Sequence, residues 1–345
     1  MNHPDLSTPQ AGPVDLSRAQ ARPTAGTDQV RYRVLCTDDV HRHADSIQYW
    51  SQQYDQVSKG QFNGCLRELW ADEPRVQVFH EYTEQLTFQH CLPWDGSIWF
   101  GIPSLNGQYG LGFCGHEMGA DGPFLMSVRC NEMFQLRTPR QFGIYGVLIE
   151  ESEWSARMER LGLSLDVSSV VRATSLSVEQ HRLLGTLIET ILRSGEASNL
   201  SRSWEREVLE GLLNQLLFLL CSLPAAGAWT QGGRAARDRL GVVMAARALA
   251  LRSADVDDEG QLQVERLCDQ LHLTRRTFQN YCMAVVGESP AAYLKAVRLG
   301  ACRRALQSAA HTSVQDVAWR MGFRHMGHFS QDYKDMFGES PSQTR

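Results

Sequence analysis

The residues best suited to chemistry lie between Gly110 and Glu117, where the chain reads GLGFCGHE. Gly110 to Gly115 has the spacing of a dinucleotide-binding GxGxxG, which needs a strand before it and a helix after it. The next residues, HEMGADGP, are too rich in glycine to open a helix, so the stretch reads as a loop between strands. Cys114, His116 and Glu117 are metal-ligating types in close succession, but HEMGA lacks the second His of HExxH, and a polar loop cluster is the plainer reading. There is no GxSxG and no nucleophile–base–acid set in a recognisable local context. The chain is therefore not expected to be an enzyme, and neither a metal nor a covalent cofactor is expected.

A stronger signal is a repeat. FQNYCMAVVGESP and FSQDYKDMFGESP each place a Phe at the same distance ahead of Gly-Glu-Ser-Pro. A fixed-period echo means one supersecondary unit used twice. The units VERLCDQLHLTRRTFQNY and VQDVAWRMGFRHMGHFSQDY each give an apolar helix, a short turn and a helix with polar outward positions. That is the helix-turn-helix plan, whose second helix docks in the DNA major groove. Ala318 is small where two helices approach, Gly322 suits a left-handed turn, and Ser313 with Asp316 resembles a capping box. Between the units, SPAAYLKAVRLGACRRALQ starts with a capping Ser289 and with Pro290 at the first helical position. At 1.5 Å per residue this helix is about 27 Å long. That suits two recognition helices in major-groove windows about 34 Å apart. Arg298, Arg303 and Arg304 are expected to add positive charge along it.

The outward residues of the first unit are Arg275, Arg276, Thr277, Gln279 and Asn280. Those of the second are Met326, His328 and Gln331, with Arg324 and Lys334 nearer phosphate. Charge supports this division. From Arg234 onward there are 16 Lys+Arg against 12 Asp+Glu, whereas the remainder holds 18 against 27. A basic third on an acidic body suits a polyanion-binding module.

Residues from about 240 to 345 resemble the DNA-binding domain of the AraC family of bacterial transcription regulators, the motifs being SPAAYLKAVRLGACRRAL and VQDVAWRMGFRHMGHFSQDYKDMFGESPSQTR. The resemblance implies two helix-turn-helix motifs joined by a long helix, with double-stranded DNA at a promoter operator and RNA polymerase as partners. In the first motif Cys268 stands for the usual Ala and His272 for the usual Gly, so its turn is expected to be the less regular. Upstream, YDQVSKGQFNG and VFHEYTEQLTFQHCLPWDGSIWFGIP resemble the ethanolamine-operon branch of the same family. This implies an activator of ethanolamine-catabolic genes that responds to ethanolamine with adenosylcobalamin. A small ammonium ligand wants aromatic faces and a carboxylate, for which Tyr82, Trp99 and Glu84 or Glu117 are the candidates. Regulation of a different small-molecule pathway, or action through a protein partner with a degenerate DNA domain, are the alternatives.

The elements that position these residues can be read from pattern. VQVFHEYT, LTFQHCL, SIWFGIP and FGIYGVLIE are short, aromatic or β-branched, and separated by turn residues, as in a sandwich or barrel. From Leu176 the period becomes helical: Leu183, Leu187 and Ile191, a stripe that suits a core or a homodimer seam, then Val208, Leu212, Leu216 and Leu219 or Leu220. The fold class is α+β: a β-rich, sandwich- or barrel-like sensory domain with two flanking helices, then an all-α double helix-turn-helix domain. The divisions are a disordered tail over 1–29, an effector-sensing and dimerisation domain over 30–223, a linker over 224–236 and the DNA-binding domain over 237–345. With 43% hydrophobic and 21% charged residues the chain is ordinary globular material. VLEGLLNQLLFLLCSL is interrupted by polar residues and short for a membrane span. The nine scattered cysteines suit free thiols in a reducing cytoplasm, so a cytoplasmic protein is expected.

Overall fold

The computed structural model describes residues 30–345 apart from 73–74, 105–109, 119–121, 131–132, 161, 163–170, 198–202, 224–228, 231–233, 253–260, 309–311 and 345. The expected tail over 1–29 lies outside the described residues.

Strand β4 shows how the N-terminal half is built. In order come β1 (Arg31–Thr37), helix α1 (Val40–Ala44), β2 (Ser51–Gln56), β3 (Gly64–Asp72), β4 (Arg75–Thr83), β5 (Thr87–Leu92) and β6 (Ser97–Pro103). Next along the chain are β7 (Gly112–Phe113), β8 (His116–Glu117), β9 (Phe124–Cys130), β10 (Phe134–Thr138), β11 (Phe142–Glu150), α2 (Glu151–Arg160) and β12 (Val171–Ser175). Successive side chains of a strand point to opposite faces. Along β4, Phe79 enters one apolar cluster while Val76 and Val78 enter another. Strand β6 divides likewise, Trp99 one way and Ile98, Phe100 and Ile102 the other.

These two faces organise two antiparallel sheets. One has the order β1-β3-β4-β11-β6-β9-β12-β13 and the other β2-β5-β10-β7-β8, where β13 is Trp229–Thr230. Between them lie Trp50, Tyr54, Phe113, Phe134, Trp99 and Phe79, with Trp99 stacked on Phe134 at 4.7 Å. Gly101 and Gly146 are opposite one another in the ladder, and a Cβ on either would collide with the Trp99 or Phe79 ring. The outer face of the large sheet is covered by α2, α3 (Val178–Ala197) and α4 (Ser203–Cys221). The buried stripe of α3 is Leu184, Leu187, Ile188 and Ile191, while Leu183 is 51% exposed. The β-rich body with flanking helices is thus the architecture found.

The sequence GLGFCG is a hairpin. Cys114 and Gly115, with φ of 49° and 80°, turn β7 into β8, as two-residue hairpins require. One expectation needs correction: not every thiol is free. Cys36 and Cys65 face each other on β1 and β3 and form a disulfide. Pairing puts their Cα atoms 4.1 Å apart, a proximity that a separation of 29 residues does not announce. Among the described residues, Cys91, Cys114, Cys130, Cys268, Cys282 and Cys302 are free.

The C-terminal part is helical: α5 (Arg234–Arg252), α6 (Gln261–Gln270), α7 (Arg275–Val285), α8 (Pro290–Ser308), α9 (Val314–Arg320) and α10 (Met326–Phe337). The expected linker over 224–236 falls largely outside the described residues, but Trp229–Thr230 pairs with β12. No helix among the described residues is long and apolar enough to cross a membrane.

Candidate nucleic-acid interface

Helices α6–α7 and α9–α10 are two copies of one turn. Leu273 N–H donates to Cys268 O at 2.9 Å, and Phe323 N–H to Ala318 O at 3.0 Å. His272 and Gly322 hold the left-handed position, with φ of 52° and 82°. The expectation of a less regular first turn is therefore corrected: His272 adopts the conformation of the glycine, at a cost of about 1 kcal/mol, and buried Cys268 fits where Ala318 fits. The caps differ. Thr274 Oγ1 accepts from Thr277 N–H at 3.1 Å, whereas His325 makes no side-chain cap bond. Ser313 caps α9 by accepting from Asp316 N–H at 3.0 Å, and its hydroxyl donates to the Asp316 carboxylate at 2.7 Å.

The five residues named for the first unit lie on α7. Arg275, Arg276, Gln279 and Asn280 are exposed, and Thr277 is half-buried with its hydroxyl 2.8 Å from that of Thr274. Arg275 lies 4.0 Å from Glu265, both well exposed. In the second unit Arg324, His328, Gln331 and Lys334 are exposed, and Met326 packs half-buried against the unit's own core. Gln331 is already engaged, donating to Asp335 at 2.6 Å. The arginines of α8 do not form the expected positive stripe. Arg298 is buried over the Phe323 ring at 5.0 Å, and Arg303 is buried between Asp39 and Glu339, each at 2.7 Å.

Those partners show how the two halves meet, through residues that carry no motif. Asp39 Oδ1 caps α1, while its Oδ2 accepts from Arg303 and Gln307 at 2.7 and 2.6 Å. Asp55, on β2, accepts from Arg247 of α5 at 2.5 and 2.8 Å, with His90 and the Tyr293 hydroxyl at 3.5 and 3.4 Å. Burial alone would raise the Asp55 carboxyl, but Arg247 and His90 outweigh it and hold it well below the usual carboxylate range. His41 Nε2 lies 3.1 Å from Gly300 O, so this nitrogen carries the proton. Burial, then the Arg304 charge, push the His41 imidazole down to about 3. Arg137 donates to Met283 O and Ala284 O at the end of α7. At the end of α10, Gln56 donates to Met336 O, Gly60 N–H to Asp335 O, and Lys59 pairs with the Asp335 carboxylate. Each recognition helix is thus held at its C-terminal end and presents its N-terminal residues outward. Much of YDQVSKGQFNG lies at this junction.

The four effector candidates are not brought together. Trp99 is buried between the sheets and Tyr82 lies on the outer face of β4. Glu84, in the turn after β4, accepts from Asn63 at 2.6 Å, and Glu117 on β8 pairs with Arg137 at 3.4 Å. Tyr82 instead lines an open groove of about 930 Å³ between the large sheet and α3, with His80, Tyr145, Arg182, Glu189 and Arg193 among its walls. Among the described residues no cluster of His, Cys, Asp and Glu is arranged to hold a metal.

Two helix-turn-helix units on one long helix, beside a β-rich body, define a DNA-binding class of protein. Residues 267–345 match the family model described as a helix-turn-helix domain. The chain is 32% identical over 85 residues to the XylDLEGF operon transcriptional activator of Pseudomonas putida, covering 24% of this chain and 26% of that protein. It is 31% identical over 96 residues to the HTH-type transcriptional regulator AlkR of Acinetobacter baylyi, covering 28% and 31%. A solved probable AraC family transcriptional regulator from Rhodopseudomonas palustris is 33% identical, covering 30% of this chain and 89% of that one at a TM-score of 0.25. The AraC-like transcriptional activator CuxR is 12% identical, covering 84% of this chain and all of its own at a TM-score of 0.32. The C-terminal region is thus a helix-turn-helix domain of the AraC-family type. The match spans about a quarter of the length of the first curated relatives and speaks for this domain.

Proposed function

We propose that the whole chain is a ligand-responsive transcription regulator, not an enzyme. It binds double-stranded DNA through the N-terminal ends of α7 and α10, and its β-rich body is the sensor. The observation that carries this reading is the pair of exposed sets, Arg275, Arg276, Gln279 and Asn280 on α7, and His328, Gln331 and Lys334 on α10 with Arg324 just before it. Helix α8, 19 residues long, spaces them. Contact with RNA polymerase and a homodimer built on α3 and α4 belong to the same proposal, the latter supported by exposed Leu183, Val208 and Phe218.

The residues quoted upstream support ethanolamine with adenosylcobalamin as the effector and ethanolamine-catabolic genes as the target, in a cytoplasmic activator. The relatives named for the XylDLEGF and thc operons favour the second reading, a regulator of another small-molecule pathway. A gel shift with promoter fragments over a range of salt tests the core of both. Each phosphate neutralised adds about −0.9 to the slope of log K against log salt. Sequence-selective binding with a slope of several units is the expected outcome. Binding indifferent to salt or sequence would favour a sensor that works through a protein partner.

A further inference from the structure

The outer face of the large sheet is closed by apolar packing everywhere that Leu69, Val78, Ile98 and Val147 meet Leu184, Leu187, Ile188 and Ile191 of α3. Beside that seal the packing becomes polar and open. The groove of about 930 Å³ has His80 and Tyr82 of β4 and Tyr145 of β11 as its floor, and α3 as its wall. Gly185 contributes no side chain to that wall: a Cβ there would stand 3.5 Å from the Tyr145 ring. Depth is therefore left where a leucine would have closed it.

The chemistry of the lining has a sign. Its charged side chains are Arg182, Glu189 and Arg193. Glu189, the acidic member, is taken up by the two nitrogens of Arg67 at 2.5 and 3.0 Å. Arg193 reaches Glu189 at only 3.9 Å and is 76% exposed, and Arg182, also exposed, makes no hydrogen bond or ion pair among the described residues, its charge acting only at longer range on the exposed Glu179. Positive charge is in excess, and a cation finds no free carboxylate there. The floor adds a directed donor. Arg67 Nη2, which can only donate, lies 3.2 Å from His80 Nδ1, so the His80 proton sits on Nε2. Burial, then Arg67, push the His80 imidazole down to about 4, so the ring is neutral near pH 7. Its Nε2–H makes no hydrogen bond among the described residues, and a Cβ on Gly143 would lie 3.0 Å from that nitrogen and 2.6 Å from Ser104 Oγ, so the hydroxyl of Ser104 lines the same space.

We propose that this groove is a binding site for a small organic carboxylate, its anionic end met by Arg182 and the His80 Nε2–H and its apolar part lying against Tyr82 and Tyr145. Only the regulatory consequence, that such an acid alters DNA binding, rests on the ligand-responsive reading above.

The test uses the full chain, titrated calorimetrically with hexanoate and benzoate, with hexanamide and benzamide as neutral counterparts and ethanolamine as the cation. A carboxylate should bind one per chain while the amides and ethanolamine do not bind through this groove. Arg182→Gln should weaken it tenfold or more. Gly185→Leu should abolish it by filling the wall against Tyr145, with no fall in the melting temperature of the unliganded protein, because Leu is the better helix former. The proposal is overturned if neither carboxylate binds, if the amides bind as tightly, or if both variants bind unchanged. Gel shifts separate the two readings. A carboxylate that binds here without changing DNA affinity keeps the site and removes it as the effector site. DNA binding that responds to ethanolamine equally in Gly185→Leu keeps the regulator reading and overturns the groove as its sensor.

Discussion

The two helix-turn-helix units share a turn and differ in what surrounds it. The first carries a non-glycine at the left-handed position, a threonine cap and an exposed, charged outward face on which Arg275 lies 4.0 Å from Glu265. The second has the glycine, no side-chain cap, and an outward face whose Gln331 is tied to Asp335 and, through it, to Lys59 of the β-rich body. Turn geometry is set by the backbone bond to Cys268 or Ala318, and either side chain satisfies it. On the proposed function, reading power would follow from which side chains remain unoccupied. The units therefore share a shape, and on the proposed function they are expected to differ in task.

The docks give the largest way to break the comparison. Asp55 joins β2 to α5 and to the start of α8, beside the first unit, and is nearly inaccessible. Asp55→Ala would leave Arg247 buried without its partner, a loss of about 3–5 kcal/mol. Lys59→Ala removes an exposed, solvent-screened pair at the second unit, where a far smaller loss is expected. Chemical denaturation of both variants measures the contrast. Equal losses would mean that the two units are held alike.

Acid should loosen two places, the junction at His41 and the groove between the large sheet and α3 at His80. His41 and His80 have depressed folded values, about 3 and 4, against about 6.5 for a free imidazole. Their contribution to stability is fully present above about pH 6.5 and is lost as pH falls through the folded values, because the unfolded chain takes up protons first. The melting temperature should therefore fall between about pH 6.5 and about pH 4. His41→Gln, which keeps a donor for Gly300 O, should make the fall shallower. A profile unchanged by that substitution would remove His41 from the account.

Selectivity for DNA comes next in size. Gln279→Ala should relax preference at one or two operator positions by about 1–3 kcal/mol, since Gln can pair bidentately with adenine. Gln331→Ala should change selectivity less, because its amide already serves Asp335. Binding to a library of operator variants compares the two. A larger loss with Gln331→Ala would reverse the assignment of reader and positioner.

Local pattern was legible and distant pairing was not. The strands β4, β5, β6 and β11 and the two repeat units can be read from alternation and turn residues within a few positions. Which face of β4 turns inward cannot, because both faces are covered: Phe79 and Val78 are buried alike, so Tyr82 and Trp99 could be read as neighbours when they lie on opposite faces. The arginines of α8 read as a positive stripe because Asp39, which takes up Arg303, is 264 residues away in the chain. The linker reading implies that 234–345 folds alone. Yet Val57 and Phe88 of the β-rich body complete the core around α5 to α8, and nothing local in the sequence marks two apolar residues as belonging to another domain.

The smallest effect tests whether the turn itself is a difference at all. His272 sits at φ 52°, where a side chain costs about 1 kcal/mol and glycine costs little. His272→Gly relieves that strain but gives the unfolded chain more freedom, which offsets part of the gain. The net expectation is a stabilisation of at most about 1 kcal/mol with unchanged operator preference. In the second unit Gly322→Ala imposes the strain instead, and a loss of similar size is expected, also without a change in preference. Melting temperatures and operator titrations of both variants supply the check. If His272→Gly shifts preference as well as stability, the imidazole itself touches DNA or fixes the angle of α7, and the first unit differs from the second in shape after all.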